Sequence, residues 1–508
     1  MDTTSQIQDR TATLWATSAY SSRGAFALLF IGAIVLRFTY YVVYNLFFHP
    51  LAKLPGPLLA RASLLWRFWF SQSGRFHRVI EQQHSRYGPV FRVSPNELSF
   101  ASATSWKSIY GHPPKGKSTL IKSEFYDMYG SGYDSLCIGS ERDPQNHARM
   151  KKSLSPAFST KALMEQEEII QRCVDGFVDK IGHESKRETG INVSDWYEMI
   201  AFDILGEMAF GETFHCVENE EPHFWIELLT KHLFFITLID NLRRVSLLFS
   251  IGRFLLPRFT VGVRDKHSGY SRAKVDRRLQ SVSPRKDILT NVVDKVKGGE
   301  VSQEELTAHA STLVIAGGET ISTFLAATTY YLCKTPNAYH KLQNEIRGRY
   351  QSYQDIDAAS ALQLPYLQAV IQEGLRIFPP GSQGFPRTSP GVMIDNYWIP
   401  AGTEVYTSAW TVTHDPQYFH DPEQFLPERW LDPDCTDLRE ASQPFSLGSR
   451  ACLGRNFALV EMSLLLSKIL YRYDPEIVNA ELDWERNCHM HINWWKPVLN
   501  VRFLETKK

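Results

Sequence analysis

Neither sign of charge dominates this chain: Lys plus Arg and Asp plus Glu both total 55 across 508 residues, and the formal net charge is zero. A broadly basic surface of the kind that binds nucleic acid is therefore not expected. Cysteine is scarce. There are seven (Cys137, Cys173, Cys216, Cys333, Cys435, Cys452 and Cys488), an odd number, with no Cys-x-x-Cys spacing among them. That pattern argues against a disulfide framework, and reduced thiols facing a cytosolic compartment are the simplest reading. Cys488 with His489 and His491 makes the one tight Cys/His cluster, but it lacks the second pair that a structural zinc site needs. Internal repeats and low-complexity tracts are absent. So is any Gly-rich nucleotide fingerprint after a strand, which leaves no visible flavin or nicotinamide domain.

What the chain does contain is apolar mass, 43% of its residues, and the first concentration of it lies near the N-terminus. After a short tail (1–24), residues 25–48 read AFALLFIGAIVLRFTYYVVYNLFF, long enough as a helix to cross a hydrocarbon core. Tyr40, Tyr41 and Tyr44 gather toward one end, as interfacial aromatics do, whereas Arg37 is a charge that must snorkel or displace the helix. The stretch is too long for a signal-peptide core, and no small-x-small cleavage site follows it closely. Lys53, Arg61 and Arg67 follow and favour a cytosolic body. Between them lies HPLAKLPGP, residues 49–57, whose Pro50, Pro55 and Pro57 predict a stiff, extended linker that fixes the orientation of a body spanning 58–508.

Helical periodicity dominates that body. Helices are expected over 75–86, 145–153, 161–182, 195–209, 222–240, 267–280, 286–297, 303–334, 337–350, 364–377 and 455–472. Strand signals are few: Val90–Val93 before Pro95-Asn96, Val392–Ile394 and Tyr397–Ile399 flanking Asp395-Asn396, and Glu404–Ser408. The fold class is mainly α, a helix-rich α+β with a small sheet.

One helix is unusual. Ser302 and Glu305 predict a capping box, and from Ser311 the segment STLVIAGGETISTFLAATTYYL carries few charges, as expected of a helix running through a core. Gly317-Gly318 sits at its centre, which costs helix stability but lets something large approach the backbone. Glu319 and Thr320 follow. A kink with Thr320 bonding back to the backbone is the bland reading; it leaves unexplained a carboxylate in apolar surroundings, which needs a partner or a task.

A second feature is FSLGSRACLGR, residues 445–455. Cys452 stands just before a helical run to Arg472, where the helix dipole and free N–H groups favour thiolate. Gly448 and Gly454 allow tight turns and the approach of a flat ligand. Arg450 offers a cation, and Phe445 a ring beside the sulfur. A buried structural Cys is the commonest alternative.

Together these residues resemble the cytochrome P450 superfamily. Phe445-x-x-Gly448-x-Arg450-x-Cys452-x-Gly454 is similar to its haem-ligand signature, and Ala316-Gly317-Gly318-Glu319-Thr320 to its oxygen-activation motif. Glu373-Gly374-Leu375-Arg376 matches its E-x-x-R helix, and Pro427-Glu428-Arg429-Trp430 its P-E-R-F segment, with Trp in the last place. The order and spacing are those of the family, over about 49–505. The anchor and YNLFFHPLAKLPGP resemble filamentous-fungal microsomal enzymes of secondary metabolism, nearest to isotrichodermin C-15 hydroxylase-type oxygenases.

The resemblance implies haem b with Cys452 as axial ligand to iron, Thr320 and Glu319 in oxygen activation and proton supply, and space for dioxygen beside Gly317 and Gly318. It makes Glu373, Arg376 and Arg429 a buried structural ion-pair network. Arg450, Arg387, His147 and Lys151 become partners of the haem propionates, the last with Lys where Arg is usual. Arg149, Lys151 and Lys152 could alternatively form a solvated basic face, or dock an acidic reductase. Substrate contacts fall at Phe125–Cys137, Val314, Gly381–Phe385 and His489–Asn493, with Trp494 and Trp495 either beside them or plain core, and 249–259 either dipping toward a membrane or packed internally. The implied protein is an endoplasmic-reticulum, single-pass monooxygenase with a cytosolic catalytic domain. It takes electrons from NADPH through NADPH–cytochrome P450 reductase and acts with O2 on a hydrophobic small molecule. A redox-neutral rearrangement or dehydration on the same scaffold, and non-catalytic haem binding, are the alternatives.

Overall fold

The apolar run after Ser302 forms a 32-residue helix, Gln303–Lys334, in a computed structural model that describes residues 27–116, 118–130, 132–244, 265–280 and 287–506. This helix is the axis of the main core. Its most extensive partner is the helix Val193–Phe210, buried on nearly every side; Pro365–Ile377 and Arg455–Arg472 pack around the same axis. Gly317 and Gly318 serve the helix pair. A Cβ on Gly317 would lie 2.7 Å from Leu205, and one on Gly318 would lie 2.4 Å from Phe202. The space expected there beside a cofactor is thus filled by the neighbouring helix, a correction whose cause is close helix–helix approach.

The capping box is half formed. The Ser302 hydroxyl accepts from Glu305 N at 3.1 Å, but the Glu305 carboxylate turns to a bidentate pair with Arg149, at 2.9 and 2.8 Å. Arg149 therefore stays exposed, at 47%, but its charge is paired.

Most expected helices appear within a few residues. The stretch 161–182 divides at Gln166 into Thr160–Glu165 and Glu167–Glu184. The five-stranded sheet runs Val90–Ser94, Glu97–Phe100, Glu404–Thr407, Arg387–Thr388, Ile121–Lys122 in spatial order. Only the Glu97–Glu404 contact is parallel. The hairpin Val392–Ile394/Tyr397–Ile399 forms as predicted, with Asp395 at φ +45° in the turn.

Ala27–Phe48 is one exposed apolar helix with a mean hydropathy of 1.8. Its last turn widens to i→i+5 bonding, and its end is tied to the body: Asn45 Nδ2 donates to Ala62 O at 3.1 Å, and Arg92 Nη1 donates to Asn45 O at 2.9 Å. The linker folds instead of extending. Ala52 N donates to His49 O, and Arg92 N donates to Pro55 O. Gly56, at φ +152°, lies so close to Arg92 that a Cβ would meet its carbonyl at 2.6 Å.

Candidate active site

A helix that threads a core should be covered along its whole length. Gln303–Lys334 is not. Ala316 and Thr320, one turn apart, are exposed in its middle, while Ile321 to Thr329 are buried. They leave a slot in its covering, and Cys452, on the loop ahead of helix Arg455–Arg472, is the cysteine that is exposed. Each of the two sequence motifs thus leaves one polar side chain uncovered, Thr320 in one and Cys452 in the other.

The loop geometry prepares the sulfur. Cys452 N donates to Phe445 O at 2.8 Å, closing the loop over the Phe445 ring, which also carries the Arg455 guanidinium at 5.8 Å. Gly448 takes φ +71°, with its Cα against the end of the preceding Ala103–Tyr110 helix; a Cβ there would meet Tyr110 O at 2.2 Å. That glycine serves loop packing, whereas a Cβ on Gly454, the residue before the helix, would meet only Phe158 Cε1, at 4.0 Å. Burial pushes the Cys452 thiol up; the Gly454 N–H, Lys151 and Arg455 pull the other way.

On and beside the cysteine loop three cations crowd together, with the Glu141 carboxylate near enough to act on Lys122 and Arg450. Arg450 donates to Glu141 O and Arg142 O at 2.7 and 2.6 Å. Arg387 donates to the Tyr126 hydroxyl at 3.0 Å and lies between the Tyr110 and Tyr126 rings, at 5.0 and 5.6 Å. Lys122, 6% exposed, donates to Ile138 O and Gly139 O at 2.8 and 2.6 Å. Among the described residues none of the three pairs with an acid. Burial, then Arg450 and Arg387, lowers Lys122 to about 7. Burial and Arg387 bring Arg450 to about 10, and burial with Arg450 and Lys122 lowers His147 to about 3. Groups that depress one another in this way form a cradle for a dianion. The two propionates of a haem fit this cradle, and an exposed cysteine two residues beyond Arg450 fits its iron.

Lys122 was not visible as a site residue in the sequence, being an unremarkable Lys in a two-residue strand; Tyr126 fell within the Phe125–Cys137 stretch expected at substrate, and its hydroxyl accepts from Arg387. Lys151, expected to reach a propionate, donates instead to Ser449 O at 2.7 Å and so braces the cysteine loop. Its place among the cations is taken by Lys122, because the strand Ile121–Lys122 pairs with Arg387–Thr388 and puts the two cations side by side.

Behind the slot, Glu373, Arg376 and Arg429 come together with essentially no exposure. Arg376 uses its whole fork: Nε and Nη2 hold the Glu373 carboxylate at 2.8 Å each, and its remaining bonds go to Thr413 O, Pro422 O and Gln424 O. Arg429 Nε reaches Glu373 at 3.2 Å and its Nη1 pairs with Asp437. Trp430 Nε1 donates to Glu373 at 2.9 Å. The indole therefore gives the Trp in the P-E-R-W segment a polar function that Phe could not perform.

A cleft on the far side brings together Phe125, Gln383, Gly384 and Ile492, all from or beside stretches expected to touch substrate. Val314 is fully buried in the core. The cleft is more polar than the sequence suggested. Arg67 donates to Glu97 at 2.7 Å and to Asp240 at 2.6 Å, and Arg243 donates to Asp240 and Glu404 at 2.7 and 2.9 Å. This network fastens the helix Phe224–Leu242 to the sheet, and it removes Arg67 from the surface charges that would orient a membrane anchor. The expected membrane-dipping stretch 249–259 lies outside the described residues.

The Cytochrome P450 family profile matches residues 55–494. Cytochrome P450 monooxygenase ORF9 of Penicillium roqueforti (strain FM164) is 60% identical over 463 residues, covering 91% of each chain. Cytochrome P450 monooxygenase BOT4 of Botryotinia fuckeliana is 50% identical over 474 residues, covering 93% of this chain and 90% of its own. Cytochrome P450 monooxygenase BOA3 of Botryotinia fuckeliana (strain B05.10) is 37% identical over 488 residues, covering 93% and 95%. With this likeness over nearly the whole length, and with the family's motif residues Cys452 and Thr320 left uncovered, the chain belongs to the cytochrome P450 family.

Proposed function

We propose that this protein is a membrane-anchored haem-thiolate monooxygenase that inserts one atom of O2 into a hydrophobic small molecule of fungal secondary metabolism. Its electrons come from NADPH through NADPH–cytochrome P450 reductase, and the body lies on the cytosolic face of the endoplasmic reticulum. The single observation that carries the reading is that Cys452 and Thr320, one from each motif, are left uncovered while Arg387, Arg450 and Lys122 crowd together.

Bound haem supplies the chemistry of reducing dioxygen and cleaving its O–O bond, which thiolate ligation favours. The residues do the rest. Cys452 ligates as thiolate, assisted by the Gly454 N–H. Arg387, Arg450 and Lys122 hold the propionates, and His147 stands beside them, neutral at physiological pH. Thr320 now donates its hydroxyl to Ala316 O at 2.8 Å; its oxygen still accepts, so it can hold a proton donor in the slot. Insertion consumes two electrons and two protons and releases one water, so protons must reach the slot. An intact Glu319-Thr320 pair favours this reaction over a redox-neutral rearrangement. The exposed Lys152 and Arg455, beside the cysteine loop, give an acidic redox partner a place to dock.

The experiment is the reduced, carbon-monoxide spectrum of membranes carrying the protein and of Cys452→Ala. A strongly red-shifted Soret band in the wild type, absent in the variant, is expected. An unchanged band in Cys452→Ala would end this assignment.

A further inference from the structure

Glu319 and Thr320 are consecutive, so on a helix their side chains diverge by about 100°. Thr320 faces the slot. Glu319 is 4% exposed and faces the other way, into a cluster that no sequence motif announced. Lys496, between the strands Trp494–Trp495 and Asn500–Glu505, donates to Glu319 Oε2 at 3.2 Å and to the Ser322 hydroxyl at 3.3 Å. Glu198, on the helix Val193–Phe210, lies with its carboxylate 4.0 Å from the same ammonium, and its Oε1 is buried with no hydrogen-bond partner. The Glu319 and Glu198 carboxyl groups thus stand against one ammonium, at 3.2 and 4.0 Å.

Two carboxyl groups share one buried lysine, so one of them is best neutral. Burial, and then the Glu319 charge, raise Glu198 well above the carboxylate range. Burial opposes ionisation of Glu319 too, but Lys496 and the Glu198 hydrogen bond outweigh it and hold Glu319 below its ordinary value. Glu319 is also the nearer of the two to the ammonium, at 3.2 against 4.0 Å, so the shared proton is placed on Glu198. The side chains of Glu319 and Lys496 are each 5% exposed, and that of Glu198 is 12% exposed, so Glu198 is the member nearest water.

We propose that Glu198 is the proton reservoir that reloads Glu319, and that Lys496 is a positioning residue that holds Glu319 turned toward this reservoir between deliveries. The proposal rests on the monooxygenase reading. In each delivery a proton leaves the Glu198 carboxyl oxygen for a Glu319 carboxylate oxygen, which neutralises Glu319 and loosens its hold on Lys496. The Glu319 side chain then swings toward the Thr320 side and gives the proton up there. Water returns a proton to Glu198. No bond other than O–H is made or broken, and the protons are those that the monooxygenase reaction consumes.

The test uses the full-length holoenzyme with reductase and NADPH, and dioxygen as the probe. Oxygen consumption is measured in H2O and D2O for wild type, Glu198→Gln, Lys496→Met and Lys496→Arg, each first shown to keep its carbon-monoxide band. Glu198→Gln is expected to slow oxygen consumption at least about tenfold and to enlarge the solvent isotope effect, in keeping with the usual weight of a positioned proton donor. Lys496→Arg should recover most of the rate lost in Lys496→Met. Infrared spectra supply a readout that does not depend on turnover: a protonated-carboxyl band of the wild type at neutral pH should be missing from Glu198→Gln. A merely structural cluster would shift thermal stability and leave the isotope effect alone. Wild-type rate and isotope effect in Glu198→Gln, or no such infrared band, would overturn the relay. Absence of NADPH-dependent oxygen consumption in the wild type would overturn the monooxygenase reading beneath it.

Discussion

Replacing Arg376 by Lys keeps a positive charge in the network behind the slot and removes only its shape. The native guanidinium makes five hydrogen bonds, two to the Glu373 carboxylate and one each to Thr413 O, Pro422 O and Gln424 O. A lysine ammonium has three donors radiating from one atom, so at least two of these buried acceptors lose their partner. Each buried acceptor left unmet costs about 1–3 kcal/mol, and the variant should lose about 2–6 kcal/mol. A domain's whole stability is about 5–15 kcal/mol, so the loss is a large share of it. Arg376→Ala goes further. It leaves Glu373 with Arg429, Trp430 and Leu426 N only, and breaking a buried pair costs about 3–5 kcal/mol before any cavity is counted; that variant should not accumulate as haem protein. The assay for Arg376→Lys is the urea concentration at which the carbon-monoxide band is lost, at matched protein and haem concentration because bound ligand shifts the midpoint. Wild-type resistance in Arg376→Lys would refute the argument that the fork, and not the charge, holds this region.

Trp430→Phe removes one donor to a carboxylate oxygen that keeps Arg376 Nε; about 1.5 kcal/mol should be lost, and a loss exceeding that of Arg376→Lys would contradict the assignment. Gly318→Ala gains about 1 kcal/mol of helix propensity but drives a Cβ to 2.4 Å from the buried Phe202 ring. Overpacking of about 1–3 kcal/mol should win, lowering the thermal midpoint, and a raised midpoint would show that the two helices can part cheaply. Lys122 binds its proton more weakly in the folded protein, at about 7 against an ordinary 10.5, from burial and then Arg450 and Arg387. A bound dianion restores that proton, so haem binding takes one up between pH 7 and 10 and haem affinity should fall as pH rises through this window. Titration of apoprotein with haem checks this, and the slope should flatten in Lys122→Met; a flat wild-type profile would separate Lys122 from the propionates.

Local order was written in the sequence. Apolar spacing marked the helix Gln303–Lys334 to the residue, and the Asp395-Asn396 turn fixed its hairpin, because helix period and turn chemistry act over a few residues. Glu373 and Arg376 were legible as partners because one helical turn separates them, and the thiolate loop because its glycines, cation and cysteine are consecutive. What joins distant segments was not legible. Glu319 is 177 positions from Lys496, Arg67 is 173 from Asp240, and Lys122 meets Arg387 only through a strand of two residues. Each is an ordinary charged residue until packing removes its water and leaves it one partner. The same holds for Gly317 and Gly318: the sequence shows that a close approach is needed there, and only the fold reveals that Phe202 and Leu205 make it. The sequence alone thus determined the helices, the turn and the candidate thiolate and hydroxyl. Tertiary structure decided which charges face each other, since burial, which is set by the whole chain, determines whether a charge is solvated or paired.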